Sequence, residues 1–360
     1  MTTEEKQALP TIIEVLEELA QEEYRWHLEW TRQPNFLAPY FADDGEYMIV
    51  ATKSHSLNNK LMPGSQSPFT LYRGQNRDFE KCVPSLFRIP EGFSKEEWNV
   101  VSRVRTAEFM FVLLQHPVVQ DLQKRIIVDL VPVAQHYGFP TEYMDITNNK
   151  WVAAFFAVTQ FCDDKYEPVN ENYEDGIGVM YVAAPSKDVA CQQFWMSEKI
   201  QALGFQYFAR PTKQYSMVYQ MNEGEDFNQY PAWRKILFRH DKEASDMVFK
   251  MSWKQERWFP NDVLSDKARM IRSNAYELAE SSILLAKAKF DLPQSTDEIK
   301  DILSRHGMAW HSGNVIAAAF SPQEMSEDWQ KWVDFGRRDL MTRIKQPMRL
   351  YDLPAPQINL

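Results

Sequence analysis

Two hydrophobic periods alternate along this chain. Ile12, Val15, Leu16 and Leu19 recur at helical spacing after Pro10 and predict an amphipathic helix. Residues 33–68 are rich in Pro, Asn, Asp and Ser, with a short strand expected at Tyr47–Val50 and a loop around Pro63-Gly64-Ser65. Phe69–Arg73 reads as a strand ending at Gly74. Residues 95–136 read as mostly helical, opened by a capping box at Ser94 and Glu97; the run Ile126–Ala134 is interrupted by Pro132 and ends at Gly138. A short strand is expected at Tyr143–Thr147, a buried aromatic helix at Asn149–Phe161, an acidic loop at Asp163–Gly176 and a strong strand at Ile177–Ala183. Further strand-like runs stand at Tyr215–Tyr219 and Met247–Met251. Asp262–Lys289 reads as one long helix. Ser295 and Glu298 open a helix over 296–306 that Gly307 closes. Ser321, Pro322 and Glu324 open another, with Trp329, Trp332 and Val333 on one face. The tail Gln346–Leu360 holds three prolines and should be extended.

Composition narrows the class. A chain of 360 residues with 44% apolar and 25% charged side chains suits one large soluble domain or two ordinary ones. The net charge of −10 weighs against bulk binding to nucleic acid or to an anionic membrane, which needs a basic face. Cys82, Cys162 and Cys191 are scattered and odd in number, with no CxxC pair, so neither a disulfide framework nor a zinc ribbon is indicated. The opening Met1–Lys6 has no basic or apolar leader pattern, and no run of about 18 apolar residues occurs. A cytoplasmic setting without a transmembrane helix is therefore the expectation. His306 and His311 do not have metal-ligand spacing, and no Walker loop, GxSxG or HExxH occurs, so no metal is expected.

Three groups of polar residues stand at element ends. Arg73, between a strand and Gly74, suits a guanidinium fork for phosphate with close backbone approach at Gly74; it equally suits an ion pair with Asp78 or Glu80, the commoner use of such an arginine. His136 ends a helix that Gly138 and Pro140 stop, and it reads as a capping histidine or as a general base or ligand contact. Asp145 and Thr147 share one face of a short strand, followed by Asn148 and Asn149. These residues suit ligand contacts, helix caps, or both.

One order of motifs ties the groups together. Leu71-Tyr72-Arg73-Gly74-Gln75 is followed by Pro84-Ser85-Leu86-Phe87-Arg88, then by Gln135-His136-Tyr137-Gly138-Phe139-Pro140-Thr141, then by Asp145-Ile146-Thr147 and Ala153-Ala154-Phe155-Phe156-Ala157. This order resembles the FRG domain, named for a Phe-Arg-Gly motif in which Tyr72 here replaces the Phe. The resemblance spans roughly residues 69–260, giving an N-terminal helical and loop segment over 1–68 and a C-terminal helical region with its tail over 261–360. FRG motif order in turn resembles the ADP-ribosyltransferase fold. That likeness implies an α+β protein with a central mixed or split sheet.

By the same likeness Arg73-Gly74 is the first element, Thr147 the second, and Gln214, in Arg210-Pro211-Thr212-Lys213-Gln214, the third, with Glu223 and Glu225 as rivals. It implies catalytic roles for Arg73, His136, Thr147 and Gln214. It also implies NAD contacts from Arg73, Gly74, Gln135, His136, Tyr137, Asp145, Thr147 and Asn148. The implied activity is transfer of ADP-ribose to a macromolecular acceptor or cleavage of NAD, as in a bacterial toxin or defence effector. The alternative is a non-catalytic nucleotide- or protein-binding module using the same cleft. Two departures stand out: Glu142 replaces the Arg and Ile146 the Trp of the usual Pro-Thr-Arg-Leu-Leu-Asp-Trp-Thr. Gln214, moreover, lacks the charge of a catalytic Glu.

Overall fold

The computed structural model describes residues 2–32, 47–51, 59–63, 70–124, 128–162, 165–183, 199–203, 208–260, 262–315, 317–338 and 344–345. Cys191, the loop at Gly64-Ser65 and the tail Gln346–Leu360 lie outside the described residues. In chain order the elements begin with helices α1 (Thr3–Gln7) and α2 (Ile12–Arg32) and strands β1 (Tyr47–Ala51), β2 (Asn59–Pro63) and β3 (Leu71–Gln75). Helices α3 (Lys95–Gln115), α4 (Pro117–Gln123) and α5 (Leu130–His136) follow, then β4 (Tyr143–Thr147), α6 (Lys150–Ala157), β5 (Thr159–Cys162) and β6 (Lys165–Pro168). Next come β7 (Ile177–Ala183), β8 (Ile200–Ala202), α7 (Ala209–Lys213), β9 (Ser216–Gln220), β10 (Arg234–Arg239) and α8 (Lys242–Met251). The rest comprises α9 (Val263–Arg272), β11 (Leu278–Ala279), α10 (Glu280–Lys289), α11 (Thr296–Arg305), β12 (Trp310–His311), α12 (Pro322–Lys331) and β13 (Ile344–Lys345). The α+β class expected from the motifs is what is observed. Among the described residues no helix is long and apolar enough to cross a membrane.

Six strands form the central sheet in the order β10-β7-β3-β4-β9-β8, antiparallel throughout. Within each half the ladders are long: β3 pairs with β7 from Leu71–Ala183 to Gln75–Val179, and β4 with β9 from Tyr143–Gln220 to Thr147–Ser216. The two halves meet through one residue pair, Tyr72 with Thr147. The sheet is split at its centre, between β3 and β4.

Alternation along the strands sends side chains to two cores. Tyr72, Met180, Val182 and Phe238 pack under α6, α8 and the buried stripe Ile12, Val15, Leu16 and Leu19 of α2. Leu71, Val179, Tyr181, Met144, Ile146 and Met217 face the other way, against Phe227 and Trp233. A third core joins α3 and α5 to α9, α10 and α11. At its centre the fully buried Glu108 accepts hydrogen bonds from Tyr276 Oη at 2.7 Å and the Ala279 amide at 2.9 Å.

Several expected elements change shape. Pro132 interrupts nothing, because α5 starts at Leu130 under an Asp129 cap; the proline lies in the first turn, whose amides lack helical acceptors. The aromatic helix stops at Ala157. Thr159 Oγ1 donates to the Phe155 carbonyl at 2.7 Å, and Thr159–Cys162 pairs with Lys165–Pro168, so part of the expected acidic loop is strand. Met247–Met251 is helical, because the Asp241 cap starts α8, which buries Ala244 and Val248 and leaves Met247 and Met251 exposed. The long helix over 262–289 is broken by β11, which pairs with β12 and is tied to Glu108. Trp332 is buried but Val333 is exposed, because a π-helical turn over Trp332–Gly336 rotates the expected face.

Burial lowers the pKa of both His116 and His240, outweighing the Asp328 carboxylate beside the first and the Asn76 carbonyl that accepts from the second at 2.8 Å. The unfolded chain takes up these protons near the ordinary value of about 6.5 while the folded one resists. Their contribution to stability is therefore complete above about pH 6.5 and is lost as pH falls through the depressed folded values. The urea midpoint should be lower at pH 5.5 than at pH 7.5, and His240→Gln should flatten part of that slope. A midpoint equal or higher at pH 5.5 contradicts this assignment.

Candidate functional site

Where the sheet splits, a cavity of about 270 Å³ opens. Its walls include Arg73, Gly74 and Gln75 of β3, Asp145–Thr147 of β4, His136 at the end of α5, and Gln214 with Ser216. Residues distant in the chain thus converge on one space. Arg88 and the aromatic rings Phe156, Phe161 and Tyr166 complete the wall used below.

Arg73 bridges the split. Its Nη1 donates to the Asp145 carbonyl at 2.8 Å, so a side chain takes the place of a missing ladder bond. Its Nε is buried without a partner. Neither Asp78 nor Glu80 pairs with it; Asp78 instead holds Lys235. The Arg88 side chain, exposed at the cavity edge, makes no hydrogen bond or ion pair among the described residues. Desolvation lowers its pKa, and the like charge of Arg73 adds to that. Two guanidinium groups thus share one wall with no carboxylate in salt-bridge contact among the described residues.

Gly74 lines the cavity and is also needed for packing. A Cβ there would lie 1.8 Å from the Ala153 carbonyl oxygen. The missing side chain lets α6 lie directly on β3.

The Arg210-to-Gln214 segment cradles His136. Arg210 donates to the His136 carbonyl at 3.2 Å and lies over the Tyr137 ring at 4.9 Å. Gln214, 3% exposed, donates through Nε2 to the Trp258 carbonyl at 3.1 Å, which turns its Oε1 toward His136 Nδ1, also at 3.1 Å. This network puts a proton on Nδ1 and turns Nε2 toward Asp145. The His136 side chain is only 5% exposed, and its Nε2 stands 3.5 Å from Asp145 Oδ1. Neither atom has a hydrogen-bond partner. Behind them Gln135 donates to Asp145 Oδ2 at 3.3 Å and accepts from Thr141 Oγ1 at 2.7 Å. Thr147 Oγ1 donates to the Gln214 carbonyl at 2.9 Å and accepts from the Asn149 amide at 3.1 Å, so it braces the wall.

The structure therefore brings Arg73, Gly74, His136, Asp145, Thr147 and Gln214 to one cavity, with Gln135 just behind. Tyr137 and Asn148 do not line it. Tyr137 is buried and donates to Asp262 Oδ2 at 2.8 Å, and both burial and that carboxylate raise its pKa. Asn148 is exposed, while Asn149 caps α6. The rivals Glu223 and Glu225 lie elsewhere, paired with Lys95 and Lys199. Burial raises the Glu225 pKa, but hydrogen bonds from Asn222, Tyr230 and Lys199 overcome it and bring the value to about 2. Glu142, at the position of the usual Arg, pairs with Arg103 at 2.6 Å outside the cavity. Tyr72, in place of the Phe, keeps its ring in the core and hydrogen-bonds Glu23 of α2, which also pairs with Lys150. Sequence reading passed over Arg88, although it ends a noted motif, and over Phe161 and Tyr166, whose hairpin was hidden by an expected helix and loop.

The site joins a split antiparallel sheet, an arginine on one central strand and, across the gap, a buried histidine beside a part-exposed aspartate. Residues 69–165 match the family model of the FRG domain, and the chain is an FRG domain-containing protein. No curated protein and no solved structure matches it.

Proposed function

We propose that this cavity binds a nucleotide, NAD in particular, and that the protein acts on the nicotinamide–ribose bond as an ADP-ribosyltransferase or NAD-cleaving enzyme. The observation that carries the reading is the pair Arg73 and Arg88, two guanidinium groups on one wall with no carboxylate in salt-bridge contact with either among the described residues. Such a wall favours a phosphate, which arginine grips through two parallel hydrogen bonds. Orphaned buried atoms, Arg73 Nε among them, fit a polar ligand. Phe161, 58% exposed at the cavity, and Tyr166, 4.9 Å from it between ring centroids, offer a face for a base. The volume of about 270 Å³ is just under the usual 300–1,000 Å³ of ligand pockets, so it encloses a mononucleotide-sized part and leaves the remainder at the mouth.

In this reading Arg73 and Arg88 hold phosphate, His136 and Asp145 face the sugar, and Gln214 keeps His136 in place. NAD supplies an activated N-glycosidic bond whose cleavage releases nicotinamide. A macromolecular acceptor, a cytoplasmic setting and a toxin- or defence-type role belong to the same proposal. The non-catalytic alternative is favoured by one observation: Gln214, in the place of a catalytic Glu, is spent on His136 and Trp258. Calorimetric titration with NAD, run beside a chromatographic nicotinamide-release assay, separates the two. Binding with release supports the enzyme, binding without release supports the module, and no binding at millimolar NAD removes both nucleotide readings.

A further inference from the structure

We propose that a second cavity, walled by the end of α8 and the turn that follows it, binds a small apolar monocarboxylate whose acid group is held by Arg257. This cavity shares no wall residue with the candidate site above, and the proposal does not rest on the nucleotide reading.

The cavity measures about 250 Å³ and is lined by Trp151 of α6, Val248 and Met251 of α8, the capping residue Ser252, and Arg257 with Trp258. Val248 and Trp258 are buried, whereas Met251 is 43% exposed. The Ser252 hydroxyl donates to the Phe249 carbonyl at 2.6 Å and so is turned to the backbone. The remaining wall is two indoles, a valine and a thioether. Among these residues Arg257 alone is charged.

A strained turn places Arg257. Trp253, Lys254 and Gln255 all have positive φ, at 52°, 53° and 80°. Successive non-glycine residues in this region are costly; such conformations persist where surrounding contacts demand them and cluster at ligand clamps. Here the turn folds the chain back, and the Arg257 amide donates to the Ser252 carbonyl at 3.2 Å. The guanidinium then lies over the Trp258 ring at 4.7 Å, with the Trp253 ring at 5.8 Å. Its Nη1 makes one long bond, to the Met251 carbonyl at 3.5 Å, and among the described residues no carboxylate is in salt-bridge contact with it. An arginine stacked through its flat face keeps its N–H edge for an acceptor, and a carboxylate matches two of those donors at once.

Charge and size select the occupant. An apolar amine of the same shape would meet a like charge, and an apolar alcohol would satisfy a single donor. The volume lies just under the usual range of about 300–1,000 Å³ for ligand pockets, which suits one ring or a short chain rather than a dinucleotide.

The test is calorimetric titration of the full chain with phenylpropionate, phenylpropanol and phenylpropylamine, which share one apolar body. The acid should bind at least about tenfold more tightly than the alcohol, the loss expected when a charge-assisted contact is removed. The amine should bind most weakly. Arg257→Gln, at an exposed position, should bring the acid down to the level of the alcohol and leave the alcohol unchanged. Met251→Trp, at a part-exposed wall position, should weaken acid and alcohol alike. Equal binding of acid and alcohol, or no binding of the acid at millimolar concentration, overturns the proposal. So does acid binding that survives Arg257→Gln in full, because another cation, such as Arg73 or Arg88, then holds the acid. Where Arg257→Gln does not fold, Met251→Trp takes its place: acid binding that it leaves intact lies elsewhere and equally overturns the assignment.

Discussion

Arg73→Ala should weaken NAD binding ten- to a hundredfold and leave the melting temperature nearly unchanged. A hydrogen bond to a charged group contributes about 1.5–3 kcal/mol, which corresponds to that loss of affinity. In a structural ion pair the same change would strand a buried acid and lower stability sharply. Among the described residues Arg73 has no such partner; its side chain makes one hydrogen bond, to the Asp145 carbonyl. Arg73→Lys should restore only part of the affinity, because lysine keeps the charge without the fork. Affinity is read by calorimetry and stability by thermal unfolding on the same samples. A melting temperature that collapses while the ligand affinity holds would return Arg73 to a structural role.

Gly74→Ala should be the more damaging change, although it adds a single methyl group. Its Cβ would sit 1.8 Å from the Ala153 carbonyl oxygen and 2.9 Å from the Ala157 amide nitrogen. These are backbone atoms of α6 and cannot swing aside as a side chain would. The helix must move away from β3, and its buried neighbours Val152 and Phe155 move with it. Overpacking a core costs about 1–3 kcal/mol, and a clash with backbone belongs at the upper end of that range or above it. Chemical denaturation should show a loss of at least about 3 kcal/mol, or no folded protein. Unchanged stability would mean that α6 does not rest on β3.

These two neighbours show what a linear sequence can and cannot tell. The positions of Arg73, His136, Asp145 and Thr147 were legible because each stands in a recognisable motif, His136 and Thr147 at element ends and Arg73 and Asp145 at mid-strand. Whether Arg73 pairs with an acid was not, since Asp78 is taken by Lys235, which comes from a strand much further along the chain. The importance of Gly74 could be read, but not its reason, which lies in the α6 backbone. Arg210 and Gln214 stood out as a spacing. That they clasp His136 from two sides needed the fold. The elements misread were those where short-range preference met a tertiary partner: Met247–Met251 looked like strand until the Asp241 cap and the buried Ala244 and Val248 made it helix.

The split between β3 and β4 has a mechanical meaning. Each half of the sheet is stiffened by its own ladders, five residue pairs between β3 and β7 and five between β4 and β9, while one rung and the Arg73 side chain couple the halves. Such a seam is compliant where the rest of the sheet is rigid. In the nucleotide reading proposed above, a molecule held by Arg73 on one half and by Asp145 on the other would act as a second rung, and filling the cavity would then stiffen the whole sheet.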